Sequence, residues 1–325
     1  MASPARKPAP HGGPIGREDA TIDRIGDSLT RAGFAPREGE IHLGDDAAVL
    51  TAPPAGLDVV FCTDAGVADV HADLTVLSAQ DLGWRATVAT LSDLAAMGAA
   101  PWCLVVSASA PKEVSIDELM EGVIEAAKSF ACPVVGGDVT SSATAAVVVA
   151  GLGLVPHGAA LLRGGAKPGD LLYVTGPLGG AAAGLRHLRD VKSPSDEAAR
   201  LVLRHRRPMP RLEAGRLARE AGATAAIDLS DGLGRDLHRL ADASEVGFSL
   251  GVVPIMPGAS RDEALGGGED FELLLAGPRG AELPQVFADA GLSELVAIGV
   301  VEDDVTIRTL QGTHLGPLGY QHEVT

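Results

Sequence analysis

Apolar and polar positions along this chain switch repeatedly between a helical and a strand period. Ile22, Ile25 and Leu29 recur at helical spacing and predict a helix over 17–32. Runs of β-formers at 47–50 and 57–63, joined by Pro53-Pro54-Ala55-Gly56, predict two strands. Segment 79–97 is apolar nearly all round and predicts a buried helix, ended by Gly98 and Pro101. A strand at 102–108, a helix at 115–130, a short strand at 133–136 and a long Ala/Val strand at 144–155 follow. The turn-rich stretch Gly164 to Asp170 then opens a second succession. It comprises a strand at 171–175, a Gly-rich turn with a helix through Leu188, and helices at 197–204 and 211–221. A strand at 224–229, a helix at 233–243, a strand at 271–276, a helix at 283–290 and strands at 296–301 and 305–309 complete it. The pattern predicts two mixed α/β halves meeting near residue 160, with no short repeat period.

Composition narrows the function classes. With 46% hydrophobic residues in 325, the chain has enough apolar surface for a substantial core. Aromatic residues are only 3%, which suits tightly packed α/β layers built from Ala, Val, Leu and Gly. A net charge of −17 argues against nucleic-acid binding and against docking on anionic membranes. Carboxylates that hold cations nevertheless attract anions through them. Cys62, Cys103 and Cys132 are odd in number and form no CxxC pair, so they read as packing residues in a reducing compartment. Residues 1–15 read as a disordered tail without a signal-peptide core, and the longest apolar stretch, 145–155, is too short to span a bilayer. These features predict a soluble, cytoplasmic protein.

The candidate chemistry lies in short acidic stretches, most of them beside glycine: Gly44-Asp45-Asp46, Thr63-Asp64, Gly136-Gly137-Asp138, Asp228-Leu229-Ser230-Asp231-Gly232 and Gly268-Glu269-Asp270. Oxygen ligands on tight turns suit a hard cation such as Mg²⁺. Each stretch taken singly is also an ordinary turn or helix cap. Asp93 differs, because a carboxylate in an apolar helix must be paired, hydrogen-bonded or bound to a metal. No Walker A pattern and no Ser/His/Asp or Cys/His arrangement competes. The turn Gly176 to Ala181 reads as a structural βα turn, with phosphate binding as the alternative. Arg163 is the best-placed cation for a phosphate, or else a domain-joining ion-pair partner. Together the stretches favour an Mg²⁺–nucleotide enzyme.

In order, the segments GDDAAVL, CTDAGVADVH, TLSDLAAMGAAP, GGDVTSS, LLRGGAKPGDLLYVTGPLGG, AIDLSDGLGRDL and GGEDFELLLA resemble the thiamine-monophosphate kinase family. The resemblance implies a two-domain α/β (α+β) fold like aminoimidazole ribonucleotide synthetase. Residues 16–158 would form an ATP- and Mg²⁺-binding domain that dimerises through its sheet, and 159–325 a domain completing the site. It implies ATP-dependent phosphorylation of thiamine monophosphate to the diphosphate, with several Mg²⁺ ions and K⁺ as a further candidate cation. Asp46, Thr63, Asp64, Asp93, Asp138, Asp228 and Asp231 would bind Mg²⁺, with Asp45 as a neighbour. Gly137, Asp138, Arg163 and Ser230 would contact ATP, and His71, Glu269 and Tyr320 thiamine monophosphate. No general base is implied, since the acceptor is itself a phosphate. Cys62 stands where the family usually carries Ser or Thr. Related synthetases and a non-catalytic thiamine-phosphate sensor are the rival readings.

Overall fold

The computed structural model describes residues 17–43, 45–190, 195–293 and 295–321. The expected tail at 1–15 lies outside the described residues, as do Gly44 and residues 322–325. The first half runs α1 (Arg17–Arg31), β1 (Leu57–Val67), α2 (Ala79–Ala96), β2 (Ala100–Ala110), α3 (Ile116–Ser129), β3 (Val134–Ser141) and β4 (Ala146–Pro156). The second runs β5 (Leu171–Val174), α4 (Gly180–Arg189), α5 (Asp196–Arg206), α6 (Leu212–Glu220), β6 (Ala225–Asp228), α7 (Leu233–Ser244) and β7 (Gly247–Leu250). It continues through α8 (Arg261–Gly266), β8 (Leu273–Gly277), α9 (Leu283–Asp289), β9 (Val296–Glu302), β10 (Arg308–Leu310) and β11 (Thr313–His314).

The first half forms a four-stranded sheet in the order β1-β4-β2-β3. β4 pairs antiparallel with both β1 and β2, while β2 and β3 are parallel and joined through α3. α2 packs on β1 and β4, and α3 packs on α2. α2 starts at a capping box, in which the Ser78 hydroxyl accepts from Asp81 N–H and the Asp81 carboxylate accepts from Ser78 N–H. It meets α3 so closely that a Cβ on Gly83 would lie 2.0 Å from the Leu119 carbonyl oxygen, and one on Gly122 1.9 Å from that of Gln80. Glycine at both crossing points therefore lets the two backbones touch.

The second half forms a seven-stranded sheet in the order β11-β10-β7-β9-β5-β8-β6. Leu233, Leu237 and Leu240 of α7 pack with one apolar cluster of this sheet, and α6 and α9 contribute Leu217, Leu283 and Phe287 to another. The second cluster includes Ala95 and Ala96 of α2, so that helix is built into both halves. This explains why 79–97 is apolar nearly all round: it is covered on every side.

Three expectations change. Segment 47–50 is no strand; Val49 makes a bridge to Ile41, and among the described residues the run has no further strand partner. The strand expected at 305–309 begins only at Arg308, because Asp304 accepts from the Thr306 N–H and hydroxyl and holds a turn. β3 extends well past Gly136, since its ladder with β2 outweighs the poor strand propensity of Gly-Gly-Asp. β7, α8 and β11 were not anticipated; they are short, at four, six and two residues.

Candidate functional site

The halves enclose a cleft of about 610 Å³. Asp64, His71 and Arg85 line it from the first half, and Ser230, Asp231, Glu269 and Tyr320 from the second. A smaller pocket of about 170 Å³ is lined by Cys62, Asp93, Arg163 and Asp228. Side chains that are far apart in sequence thus meet at the junction of the halves.

Strand geometry decides which carboxylates meet. Successive side chains of a strand point to opposite faces. In β1, Cys62 and Asp64 face α2, whereas Val59, Phe61 and Thr63 face outward. Asp93 reaches the same region from α2, and Asp228 from the end of β6. Asp228 is 3% exposed and accepts a hydrogen bond from the Ser92 hydroxyl at 2.8 Å, a contact between the halves. Burial raises the Asp228 carboxyl to about 7, and the charge of Asp93 adds to this. Asp93 is raised to about 6 by burial and by Asp64, with Arg163 opposing. Asp64 is raised by burial, and Asp231 and Glu269 push the same way. Negative charge is therefore crowded, offset by Arg163 at Asp93 and Asp228, by His71 at Asp64, and by a few hydrogen bonds. Among the described residues no three His, Cys, Asp or Glu side chains form a ready-made metal cage.

Thr63 and Asp138 lie on the other face of the sheet. Thr63 donates its hydroxyl to the Val149 carbonyl at 3.2 Å, and Asp138 sits beside Ser107 on the exposed edge strand β3. Asp45 and Asp46 are exposed in the loop before β1, whose Ala48 approaches Gly136. Asp46, Thr63, Gly137 and Asp138 line neither cavity.

Backbone N–H groups at two turns, one of them the 176–181 phosphate candidate, are engaged by the chain itself. Asp270 accepts from Gly179 N–H at 2.5 Å and Ala181 N–H at 2.9 Å, so the turn at 176–181 is structural. At the start of α7, neither Ser230 nor Asp231 caps the helix. Asp236, wholly buried, accepts instead from Asp231 N–H and Gly232 N–H at 3.0 and 3.1 Å. Asp231 itself pairs with Arg239 at 2.5 Å. The loop at 230–232 is thus held rigid from below, with the Ser230 carbonyl accepting from Glu269 N–H at 2.8 Å. The Cys62 thiol donates to the Thr90 carbonyl at 3.4 Å, and burial followed by the charges of Asp93 and Asp64 pushes it up to about 12. It is a thiol at neutral pH.

Residues 44–155 match the family model of the AIR synthase related protein N-terminal domain, and 167–309 that of the C-terminal domain. Thiamine-monophosphate kinase of Bacillus subtilis (strain 168) is 38% identical over 250 residues, 72% of this chain and 76% of that protein. The chain belongs to the thiamine-monophosphate kinase family. A crystal structure of the thiamine-monophosphate kinase from Stenotrophomonas maltophilia K279a has a TM-score of 0.77 at 31% identity, covering 91% of this chain and 97% of that one. AaThiL complexed with AMPPCP and TMP has a TM-score of 0.74 at 26% identity, covering 83% and 89%.

Sequence reasoning missed several residues around this thiamine-monophosphate kinase family cleft. Arg85 lines it from α2 at 4% exposure. Glu272, with no exposed surface, accepts from Thr175, Arg204 and Arg211 at 2.7, 2.8 and 2.7 Å, tying the Gly266–Phe271 loop to α5 and α6. His205 is 3% exposed, and burial with the adjacent Arg85 charge holds its imidazole down to about 3. A signal for Arg85 was present: it is a charged residue in the same apolar helix that made Asp93 conspicuous.

Proposed function

We propose that this chain transfers the γ-phosphoryl group of ATP to the phosphate of thiamine monophosphate, giving thiamine diphosphate and ADP. The observation that carries this reading is the cleft. It gathers Asp64, His71, Ser230, Asp231, Glu269 and Tyr320 from both halves. A family member of similar fold, AaThiL, is complexed with AMPPCP and TMP, which supports a nucleotide and a phosphate ester as the two substrates here.

The reacting bond forms between an acceptor phosphate oxygen and the γ-phosphorus, while the bond from that phosphorus to the β–γ bridging oxygen breaks. The acceptor phosphate has a second pKa of about 6 and is largely dianionic at neutral pH. No side chain has to remove a proton, which agrees with the lack of a base in the reading. The obstacle is repulsion between two polyanions.

The crowded carboxylates fit a divalent cation: burial raises each carboxyl first and neighbouring carboxylates add to it, and a bound cation would offset both. Asp64 and Asp231 would hold Mg²⁺ at the cleft, and Asp93 and Asp228 at the smaller pocket. A preformed cage is not required, since Mg²⁺ is usually held by one or two carboxylates plus substrate phosphates and water. When bound, the ions supply neutralisation of the phosphates and align them for in-line attack. Arg163 and Ser230 would contact ATP, together with Gly137 and Asp138. His71, Glu269 and Tyr320 would position the acceptor, and K⁺ is a further candidate ion.

Residues 16–158 and 159–325 would divide the labour, and two copies of the chain would form a homodimer. Val59, Phe61, Val105 and Val148 leave an apolar patch on the outer face of the first sheet, with Phe61 67% exposed. A second copy covering this face would enclose Thr63 and Asp138, and any ligation by these two, with Asp46 from the loop before β1, would be made in the dimer. The direct test is to incubate the full chain with ATP, Mg²⁺ and thiamine monophosphate. Thiamine diphosphate and ADP are expected in equal amounts, and neither thiamine nor an aminoimidazole precursor should be phosphorylated. A folded chain that forms no thiamine diphosphate overturns the reading.

A further inference from the structure

We infer that Arg85 is the positioning residue of the acceptor subsite, a single buried guanidinium that sets both His71 and Glu269. Arg85 is 4% exposed, in the middle of α2. Its Nη2 donates to the His71 carbonyl at 3.1 Å and pairs with Glu269 Oε2 at 2.5 Å. Its Nη1 donates to the His205 carbonyl in the last turn of α5. One side chain therefore joins the loop after β1, the glycine-rich loop before β8 and the end of α5. The first segment belongs to one half of the molecule and the other two to the opposite half.

The chemistry favours positioning over direct contact. A guanidinium presents its donors in a rigid planar fork, so fixing one partner fixes the direction of the others. Both terminal nitrogens of Arg85 are already engaged by the protein. Glu269, by contrast, is 31% exposed and lines the cleft, free to present its second oxygen to a ligand. Its backbone is strained as well, with φ +67° on a non-glycine residue. The half-buried Arg85–Glu269 pair at 2.5 Å acts on the Glu269 side chain itself, beside the backbone bond to Ser230 and the Asp270 bonds to Gly179 and Ala181 that hold the rest of that loop. Lysine cannot reproduce the arrangement, because one ammonium cannot meet three acceptors in a fork.

This inference rests on the assignment of His71 and Glu269 to thiamine monophosphate, and the experiment separates the two. Steady-state kinetics and calorimetric binding of thiamine monophosphate are measured on the full chain and on Arg85→Lys, Glu269→Gln and the double variant. Arg85→Lys is expected to raise KM and Kd for thiamine monophosphate at least tenfold, leaving KM for ATP within twofold. The double variant should be no worse than the weaker single variant, because the two residues act as a unit. Arg85→Gln, which buries no charge and keeps a donor near the His71 carbonyl, replaces Arg85→Lys if the lysine variant does not fold. A fall in kcat with unchanged acceptor KM, an equal rise in KM for ATP, or additive losses in the double variant would each overturn the inference. Wild-type chain that neither turns over nor binds thiamine monophosphate overturns the acceptor assignment and this inference together. Wild-type chain that does both, with Arg85 variants at wild-type KM, overturns this inference alone.

Discussion

At the scale of the residue, burial and charge crowding explain which side chains matter. Asp64 combines a raised carboxyl with a place in the cleft beside Asp231 and Glu269. Asp64→Asn should lower turnover at least about a hundredfold, the size of effect seen when a transition-state electrostatic group is removed. The variant should melt at or above the wild-type temperature, because it removes a disfavoured buried charge. Circular-dichroism melts beside the kinase assay check both, and retained turnover at ordinary Mg²⁺ would remove Asp64 from the ligand set. His205 makes a pH prediction. Its folded pKa, about 3, lies below the ordinary 6.5, so the unfolded chain binds the proton first. Its contribution is complete above pH 6.5 and is lost as pH falls towards 3. Between pH 6.5 and 5 this amounts to about 2 kcal/mol, at about 1.4 kcal/mol per unit. Urea unfolding should show a shallower acid loss for His205→Gln, by about that amount. Equal slopes for the two proteins would show that His205 charges readily in the fold.

At the scale of the element, α2 is the central member. It carries Arg85, Ser92 and Asp93, covers the first sheet, and ends in the core of the second half. Its position depends on Gly83 and Gly122, where helix backbones touch. Gly122→Ala would force a methyl group to within 1.9 Å of the Gln80 carbonyl oxygen unless the helices separate. Overpacking of this kind costs about 1–3 kcal/mol. The melting temperature should fall, and turnover should fall further than the stability loss explains, since Asp93 moves with the helix. Normal activity in a destabilised Gly122→Ala would show that α2 tolerates displacement. Most elements were legible because their apolar periods are long, as in 79–97 and 115–130. α8 left a readable mark in the Ser260–Glu263 capping box, which the structure contains. β7 left none: its Gly-Phe-Ser-Leu run has no β-branched residue, unlike β5 and β6 of the same length.

At the scale of the whole molecule, the open face of the first sheet is the main unsatisfied feature. Phe61 and Val59 on β1, with Val148 on β4 and Val105 on β2, form its apolar surface. Phe61→Glu should shift a dimer towards monomer in analytical ultracentrifugation and lower activity in parallel. Activity that survives in a proven monomer would separate catalysis from assembly and release Asp46, Thr63 and Asp138 from the reaction.

The sequence by itself determined the two α/β halves, the acidic stretches and the ordered motifs of the family. All of these are local in the chain: apolar period, turn chemistry and residue type. It could not say which carboxylates share a space. Thr63 and Asp64 are neighbours in the chain, yet a strand sends their side chains to opposite faces. Asp64, Asp93 and Asp228 are distant in the chain and close enough in space to shift one another's ionisation. The Asp270 cap on the 176–181 turn and the convergence on Arg85 come likewise from segments far away in sequence, whereas the 230–232 turn is held locally by Asp236. Packing of α2 between the two halves decided these groupings, because only a helix buried in both cores brings their loops to one cleft.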